Sequence, residues 1–453
     1  MNNNSVIKTK DTNFAKTVGD ILLAVYFFSL LTYMYYVRSE VIETVVYIEK
    51  GYICALVIAL SAYIYFLFSA NFPRFAVSIK SAIVYSAPLF LMTMASIFIW
   101  VVSQSDVDAI KRGFSTYYLY SNLFVTALAM ASILYVFGER AVWLNFYALV
   151  TAGMIVIVQI WRVGGIGPYM GELITLIKSF SKEAGDIIIE AEQHELVYCI
   201  GAYIVYFILN PPKELLKWFA FAVGLFVFVS GLKRIAILAI AVIVIIAIPL
   251  KLLSKKNIRA VKTIISVILA LVVIGLFVYV GAIKFGLFDF LEKNGFDTMG
   301  RDAAYRTLAS YYEFSPKFLG NGMGNLMYIM NTKNIGLEVD APHNDFLLYF
   351  CDIGFWGYIM WLITITFTRV NYFGRNDNIN ARISTFALAL YILLISLTDN
   401  TFEYMLIMGT VGLLMMAKGY DHNVRVYEMS RFGSISQDNI GGANIDDYRK
   451  HRA

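Results

Sequence analysis

The chain has 453 residues, of which 59% are hydrophobic and 15% are charged, and its mean hydropathy is +0.66. Soluble domains average roughly 45–50% apolar and about 25% charged residues, so this composition excludes an ordinary soluble protein. The net charge of +5 is modest and is typical of anchoring at the cytoplasmic membrane face, not of nucleic-acid binding.

Apolar runs of about 20 residues recur along the whole chain, which is the pattern of a polytopic helical membrane protein. We therefore predict an all-α fold with about twelve transmembrane helices. The predicted spans are 18–37, 51–70, 76–102, 117–137, 141–161, 196–209, 218–230, 235–253, 263–283, 346–367, 385–397 and 402–417.

The distribution of Lys and Arg predicts the topology. The most basic short loops, 254–262 and 369–382, fall on one side, and the acidic or mixed segments fall on the other. Because cytoplasmic loops carry an excess of Lys and Arg, we place both termini in the cytoplasm. The predicted divisions are a cytoplasmic N-terminus (1–17), a transmembrane domain (18–417) with outer loops at 162–195 and 284–345, and a flexible cytoplasmic tail (418–453).

Two adjacent cations, Lys233 and Arg234, form the turn of FVSGLKRIAIL between the seventh and eighth predicted spans. Cations in a tight outer turn oppose the positive-inside trend, and a basic residue near the bilayer centre costs about 3 kcal/mol or more. One interpretation is that they snorkel to lipid headgroups. The other is that they bind an anionic ligand.

The segment TMGRDAAYRTLASYYEF, in the larger outer loop, has apolar and aromatic residues at helical spacing and predicts an amphipathic helix. Arg301 and Arg306 are five positions apart, which is about 140° around a helix, so they need not face the same ligand. Arg301, at the helix start, is the first choice for a ligand contact. The alternative is that both arginines lie on a solvated surface.

Two weaker signals accompany this helix. Gly320, Gly322 and Gly324 in SPKFLGNGMGN could bring backbone amides close to an anion, but we interpret the segment as a turn that positions its neighbours. Asp106 and Asp108 in an outer loop could share a divalent cation, but such a triplet arises readily in polar loops. We predict no metal site.

The stretch APHNDFLLY, 341–349, begins an apolar run with polar residues. Pro342 suits the first turn of a helix, and His343, Asn344 and Asp345 can cap its free amides, so one interpretation is a helix start with an incidental histidine. The other is that His343 lies at the water–lipid boundary beside a carboxylate and accepts a proton near neutral pH. His194, in EAEQHELVY, is a weaker candidate in a mixed loop.

Several outer cations and one histidine suit a reaction with an anionic leaving group and a hydroxyl nucleophile. Arginine binds phosphate oxygens in a fork geometry, and its positive field stabilises charge on a departing diphosphate. A histidine can remove the proton of the attacking hydroxyl. Because the arginines can take the part of a metal ion, no cofactor is predicted.

These motifs resemble a known family. The run GRDAAYRTLASYYEFSPKFLGNGMGN followed by APHNDFLLYFCDIGFWGY resembles the C-terminal half of the O-antigen polymerase and O-antigen ligase superfamily, which includes Wzy-like polysaccharide polymerases. SGLKRIAILAI resembles the family's short outer Ser-Arg turn, and SLTDNTFEYMLIM its penultimate outer hairpin. The resemblance covers roughly 226–417, and Lys233 departs from the small residue that is commoner before the arginine.

The resemblance implies a GT-C-like helical glycosyltransferase of the bacterial cytoplasmic membrane. Its substrates would be a polyprenyl-diphosphate-linked oligosaccharide, such as an undecaprenyl diphosphate, and a glycan acceptor, with a chain-length regulator and a flippase as further partners. The expected residues are His343 and Arg301 in catalysis, Arg234, Lys233 and Arg306 at the diphosphate, and Tyr305, Asn344 and Asp345 in support.

We expect a metal-independent repeat-unit polymerase, which transfers the glycan to the hydroxyl of a second lipid-linked repeat unit at the outer membrane face. A ligase, which shares these motifs and delivers the chain to a different acceptor, is the alternative within the family. A flippase or transporter for lipid-linked oligosaccharides is the alternative from another class, and it would place its charges around a central cavity that opens to both sides.

Overall fold

The computed structural model describes residues 4–39, 45–103, 107–179, 194–231, 233–295, 301–332, 343–374 and 379–439. Every regular element in these ranges is a helix and none is a strand, which confirms the all-α prediction. In chain order the helices are α1 (Asn4–Ser39), α2 (Val45–Ser69), α3 (Phe72–Tyr85), α4 (Ala87–Val102), α5 (Val107–Phe137), α6 (Arg140–Gly164), α7 (Ile166–Ser179), α8 (His194–Leu209), α9 (Leu215–Ser230), α10 (Arg234–Ser254), α11 (Ile258–Lys284), α12 (Leu287–Lys293), α13 (Arg301–Leu308), α14 (Asn325–Thr332), α15 (Asp345–Ile363), α16 (Arg369–Phe373), α17 (Ile379–Ile395), α18 (Met405–Ala417) and α19 (Tyr420–Asn439).

Within the described residues, six helical segments are long and apolar enough to cross a membrane, and α3 with α4 forms a seventh candidate that is bent by 50°. The six lie in α1, α2, α6, α10, α11 and the α15–α16 stretch. Shorter apolar helices cover 122–137, α8, α9, α17 and α18. Each predicted apolar run falls on one of these helices, and the number of about twelve spans and the GT-C-like arrangement remain predictions.

The centre of the bundle is formed by α17 and α18. Every residue of α18, from Met405 to Ala417, is buried, and α18 packs against α5, α8 and α17. Because all of its residues are buried, α18 is enclosed by other helices and does not face lipid. In contrast, α1 and α2 expose large apolar side chains such as Leu22 and Phe68, as expected for helices that face lipid.

The bend between α3 and α4 is stabilised by a buried arginine. The break at Ser86 is followed by Pro88, and the carbonyl of Tyr85 accepts hydrogen bonds from Arg369 Nε at 3.0 Å and Nη2 at 2.6 Å. The sequence analysis placed Arg369 at the start of a basic loop. Arg369 is instead buried, because a broken helix leaves a carbonyl that needs a donor.

The larger predicted outer loop, 284–345, contains three short helices, α12, α13 and α14. α13 confirms the helix predicted around Arg301, although a 3₁₀ turn (Ala309–Tyr311) ends it. The predicted flexible tail differs from the structure, in which α19 begins at Tyr420. The Tyr420 hydroxyl holds this helix start against α3, because it bonds Ser78 at 2.9 Å and the carbonyl of Arg74 at 3.0 Å.

A second break interrupts α15 at Gly354, whose φ of 67° and ψ of −172° are not helical. The segment 318–324 fills the gap. The amide of Phe355 donates to the carbonyl of Phe318 at 2.9 Å, and the amide of Asn321 donates to the carbonyl of Cys351 at 3.0 Å. We call this contact between 318–324 and 351–355 the glycine junction.

The buried carboxylate of Asp352 completes the glycine junction. Its Oδ2 accepts from the amide of Gly324 at 2.9 Å, at the start of α14, and its own carbonyl accepts from the amide of Gly322 at 2.8 Å. The amides of the glycine turn therefore bond α15, as expected for a turn that positions its neighbours. They are used within the protein and do not point to an anion site.

Candidate functional site

A buried carboxylate, Asp399, is the centre of a polar cluster in the turn between α17 and α18. Its Oδ2 accepts from the hydroxyl of Tyr198 at 3.0 Å, and its Oδ1 accepts from the hydroxyl of Tyr404 at 2.8 Å and from the amide of Asn400 at 2.9 Å. Four donors and charges around one carboxyl group favour its ionised form.

The pKa of Asp399 lies well below its usual range. Burial raises this pKa, but the neighbouring His343 imidazole, the Tyr404 hydroxyl, the positive charge of Lys233 and the Asn400 amide lower it by more. Asp399 is therefore a fixed negative charge at neutral pH. Because Lys233 contributes to this shift, its charge acts on the same cluster as the histidine does.

His343 lies against this carboxylate at the entrance to α15. Its Nδ1 is 3.7 Å from Asp399 Oδ1, and 42% of its side chain is exposed. The backbone φ of 46° lies in the left-handed region, which few residues other than glycine adopt. The Nδ1 edge of the imidazole therefore faces the Asp399 carboxylate.

Asn344 fixes the position of His343. Its side-chain oxygen accepts from the amides of Phe346 and Leu347, both at 3.1 Å, so Asn344 is the N-cap of α15. Its own amide donates to Asn400 Oδ1 at 3.0 Å, and its Nδ2 donates to the hydroxyl of Tyr279 at 3.0 Å. Every polar part of its side chain is used, so Asn344 acts as a structural support in this geometry.

Asp345 ties the start of α15 to the turn that carries Asp399. Its Oδ2 accepts from the amide of Phe402 at 2.9 Å, and its own amide donates to the carbonyl of Ser396 at 3.4 Å. The residue is fully buried, and Oδ1 has no hydrogen-bond partner among the residues that the structure describes. Asp345 therefore connects two polypeptide segments and does not face solvent.

The two cations of the predicted ligand-binding turn begin α10. Lys233 is the N-cap residue and Arg234 is the first helical residue, and both side chains are half-buried. Because the positive charge of Lys233 lowers the pKa of Asp399, this turn lies near the polar cluster around Asp399. Lys233, which departs from the family pattern, is the cation of the pair whose positive charge lowers the pKa of Asp399.

α13 approaches the cluster through Tyr305. The Tyr305 hydroxyl is 3.5 Å from the carbonyl oxygen of His343, and its ring makes an edge contact with Phe288 at 4.5 Å between centroids. Tyr305 is buried, which agrees with a supporting position. Arg301 begins this helix, and its side chain lies outside the described residues.

Arg306 lies on the same helix and contacts the carboxylates of α12. Its Nε is 3.2 Å from Asp289 Oδ1, and its Nη2 is 2.8 Å from Glu292 Oε2. About half of the side chain is exposed, and exposed ion pairs contribute roughly 0–1 kcal/mol each. The bonds to phosphate oxygens that the sequence analysis predicts for Arg306 would have to replace these weak pairs.

Residues from five helices surround Asp399 and His343, and three of these helices, α10, α15 and α18, begin there. α15 and α18 start on either side of the turn, α8 contributes Tyr198 from its second turn, α10 starts at Arg234 next to Lys233, and α13 contributes Tyr305. A helix N-terminus carries a partial positive charge, and each favours an anion by about 0.3–1 kcal/mol. The convergence of these helix starts therefore adds a positive field to that of the side chains.

The sequence analysis assigned no role to Asp399. Its signal was present in SLTDNTFEYMLIM, where Asp399, Asn400 and Glu403 interrupt two apolar runs. Intramembrane or interfacial carboxylates between apolar spans are functional candidates by default. Glu403 lies in the same turn.

The described residues contain no group of three or more His, Cys, Asp or Glu side chains that could hold a metal ion. Asp106, which the sequence analysis weighed as half of a metal motif, lies outside the described residues, as does Pro342. The side chains of Asp108 and His194 lie outside them as well.

The fold and the site together define a multi-pass helical membrane protein with a carboxylate-supported histidine at a convergence of helix N-termini. Residues 219–362, from α9 to α15, match the family model of the O-antigen ligases. This match confirms the resemblance carried by the motifs and supports the O-antigen ligase and polymerase superfamily, with glycan transfer as its general activity. A search of curated proteins found no match.

Proposed function

We propose that the protein is a polysaccharide repeat-unit polymerase. It transfers a glycan from a polyprenyl diphosphate to a hydroxyl of a second lipid-linked repeat unit at the predicted outer membrane face. The observation that carries the proposal is the His343–Asp399 pair, in which 42% of the histidine side chain is exposed.

In the proposed reaction, His343 Nε2 takes the proton of the acceptor hydroxyl. The acceptor oxygen forms a bond to the anomeric carbon of the donor sugar, and the bond from that carbon to the diphosphate oxygen breaks. Asp399 stabilises the imidazolium that forms, because its negative charge lies 3.7 Å from Nδ1. Proton removal of this kind contributes about 10²–10⁴-fold to a rate.

The departing polyprenyl diphosphate gains negative charge, and the site offers positive charge to receive it. We assign this role to Lys233, Arg234 and Arg301, each at or next to the first residue of a helix. Preorganised cations and helix N-termini stabilise such charge most strongly where water is excluded. Arg306 joins them only by exchanging Asp289 and Glu292 for phosphate oxygens.

A polymerase and a ligase differ in the acceptor that receives the glycan. The family match ends at residue 362 and begins at 219, so the first half of the chain has its own sequence, as in repeat-unit polymerases, which diverge strongly outside the shared motifs. The ligase alternative is favoured by the description of the matching family itself. Both use the same donor and the same histidine.

The decisive experiment incubates the purified protein with a lipid-linked repeat unit. We expect a ladder of products that differ by one repeat unit. A single product on a second acceptor, such as a lipopolysaccharide core, would establish the ligase alternative. Movement of the lipid across a vesicle membrane without new glycosidic bonds would establish the flippase alternative.

Arg301 variants make this experiment sharper. Arg301→Ala and Arg301→Lys should both abolish the ladder if fork-like binding of the diphosphate is required, since Lys keeps the charge but not the geometry. Lys317→Ala, at an exposed position in the same loop, is the matched control and should give a normal ladder. A full ladder from Arg301→Ala would remove Arg301 from the mechanism.

A further inference from the structure

A polar cavity of about 1050 Å³ lies at the end of the bundle opposite to His343. α18 runs between the two ends. It starts directly after Tyr404, which bonds Asp399, and it ends four residues before Asp421, which lines the cavity. The predicted topology places this end in the cytoplasmic leaflet. The charged side chains in its wall are Asp20, Arg74, Glu139, Arg140 and Asp421.

These side chains bring both signs of charge to one cavity. Arg74 Nη2 lies 3.6 Å from Asp421 Oδ1, a distance too long for a hydrogen bond. Asp421 Oδ1 is itself shielded from solvent and has no hydrogen-bond partner among the residues that the structure describes. About half of the Asp421 side chain is exposed, so a ligand that brings an N–H donor can reach this carboxylate and supply the missing bond.

The acidic side of the cavity is under electrostatic strain. The pKa of Glu139 is raised by desolvation and then by the negative charge of Asp421, while Lys418 lowers it by less. The negative charges of Glu139 and Asp421 therefore repel each other. A cationic group between them would relieve this repulsion.

An apolar groove of about 640 Å³ adjoins the cavity, and Tyr147 lines both. It runs between α1, α6 and α9, past Phe28, Met154 and Phe219. Between Tyr147 and Arg162 it follows α6 for fifteen residues, about 22 Å, which exceeds half of the roughly 30 Å hydrocarbon core. This length is sufficient to hold one acyl chain of a single leaflet.

We propose that the cavity and groove bind a zwitterionic aminophospholipid. Its phosphate would lie on Arg74 and Arg140, its primary ammonium among Asp20, Glu139 and Asp421, and one acyl chain in the groove. The three carboxylates in the cavity wall would repel a purely anionic headgroup. A water-soluble zwitterion would leave the apolar groove unfilled. The site is separate from glycan transfer and does not depend on the proposed function.

The test uses the full chain, reconstituted in vesicles of phosphatidylethanolamine, phosphatidylglycerol or phosphatidylcholine. We expect native mass spectrometry to show retained phosphatidylethanolamine and thermal unfolding to show the highest midpoint in that lipid. Phosphatidylcholine should bind more weakly, because its methylated ammonium has no N–H donor. Equal retention of all three lipids would show only non-specific annular lipid and would overturn the proposal. A preference for phosphatidylglycerol would overturn the assigned headgroup.

Two variants separate the headgroup from the chain. Asp421→Asn, which preserves shape and removes charge, should weaken phosphatidylethanolamine retention about tenfold or more, as expected for one charge-assisted hydrogen bond. Ala220→Trp, in the wall of the groove, should reduce retention of all chain-bearing lipids there. Glu428→Gln, at an exposed position of α19, is the matched control. Unchanged retention in both Asp421→Asn and Ala220→Trp would overturn the proposal.

Discussion

The two ends of the first half of α15 contrast in how they use polar groups. At the glycine junction, the amides of Asn321, Gly322 and Gly324 and the carboxylate of Asp352 all bond within the protein. At the other end, Asn344 is equally saturated, but the neighbouring His343 keeps an exposed ring with a single close carboxylate. Both regions depart from regular helix, yet only one leaves a titratable group available.

This difference shows how a functional polar residue can be distinguished from a structural one in a membrane protein. A polar residue among apolar helices is costly, so its presence alone marks both kinds of site. What distinguishes them is whether any polar atom remains for a ligand after the structural bonds have been assigned. Variants at the two regions should therefore fail in different assays.

The largest expected effect is at His343. His343→Asn should lower glycan transfer by about 10²–10⁴-fold, because the base is lost, while asparagine tolerates the left-handed backbone and preserves the fold. Product formation per inserted protein is the measurement. His422→Asn, in α19 at the far end of the bundle, is the control, and equal activity of the two variants would contradict the assigned role.

Gly354→Ala should abolish the folded glycine junction. A Cβ at this position would overlap the carbonyl of Leu319 and lie 2.5 Å from the amide nitrogen of Gly320, and the φ of 67° adds strain. Since backbone atoms cannot move aside cheaply, we expect a loss of roughly 3 kcal/mol or more in unfolding free energy. Thermal unfolding in detergent measures it.

Gly275→Ala is the control for this prediction. Gly275 lies in α11, and a Cβ there meets no atom within 4 Å. It should therefore unfold like the parent protein. If Gly354→Ala also unfolds normally, the glycine junction is not required for the structure.

Asp399→Asn should lower transfer by on the order of tenfold to a hundredfold, because the imidazolium loses its counter-charge while the base remains. It should also change the pH dependence of stability. A lowered folded-state pKa gives a stabilisation that is complete above the ordinary Asp value of about 3.9 and is lost as the pH falls below it. The parent protein should lose this part of its stability below about pH 4, and the variant should not.

The smallest expected effect is at Tyr404. Tyr404→Phe removes one of the hydroxyl groups that bond Asp399, and the bonds from Tyr198 and Asn400 remain. One hydrogen bond to a charged group is worth about 1.5–3 kcal/mol, so stability should fall within this range and transfer by a few-fold. Tyr26→Phe, on the lipid-facing α1, serves for comparison, and a larger effect there would argue against the cluster.

The sequence predicted the features that depend on nearby residues. The all-α class follows from the length and spacing of apolar runs, and the cap at the start of α15 follows from the order His343, Asn344, Asp345. The helix at Arg301 follows from its amphipathic spacing. Each of these is decided within a few turns of helix, where periodicity and capping preferences act.

The features that depend on distant residues were not predictable from one sequence. Asp399 became a partner of His343 only because the α17–α18 turn folds against the start of α15. Likewise, the carboxylates that hold Arg306 and the carbonyl that buries Arg369 come from other helices. Periodicity gives the face of a helix but not the neighbour that it meets.

The length of α18 has a consequence for how substrates arrive. Thirteen residues rise only about 20 Å, some 10 Å less than a typical hydrocarbon core. An α18 centred in the bilayer, as a predicted span, would place the turn with Asp399 below the level of the lipid phosphates. In that geometry, the lipid-linked substrate of the proposed reaction would reach the site sideways through the bilayer, and membrane thickness would affect turnover.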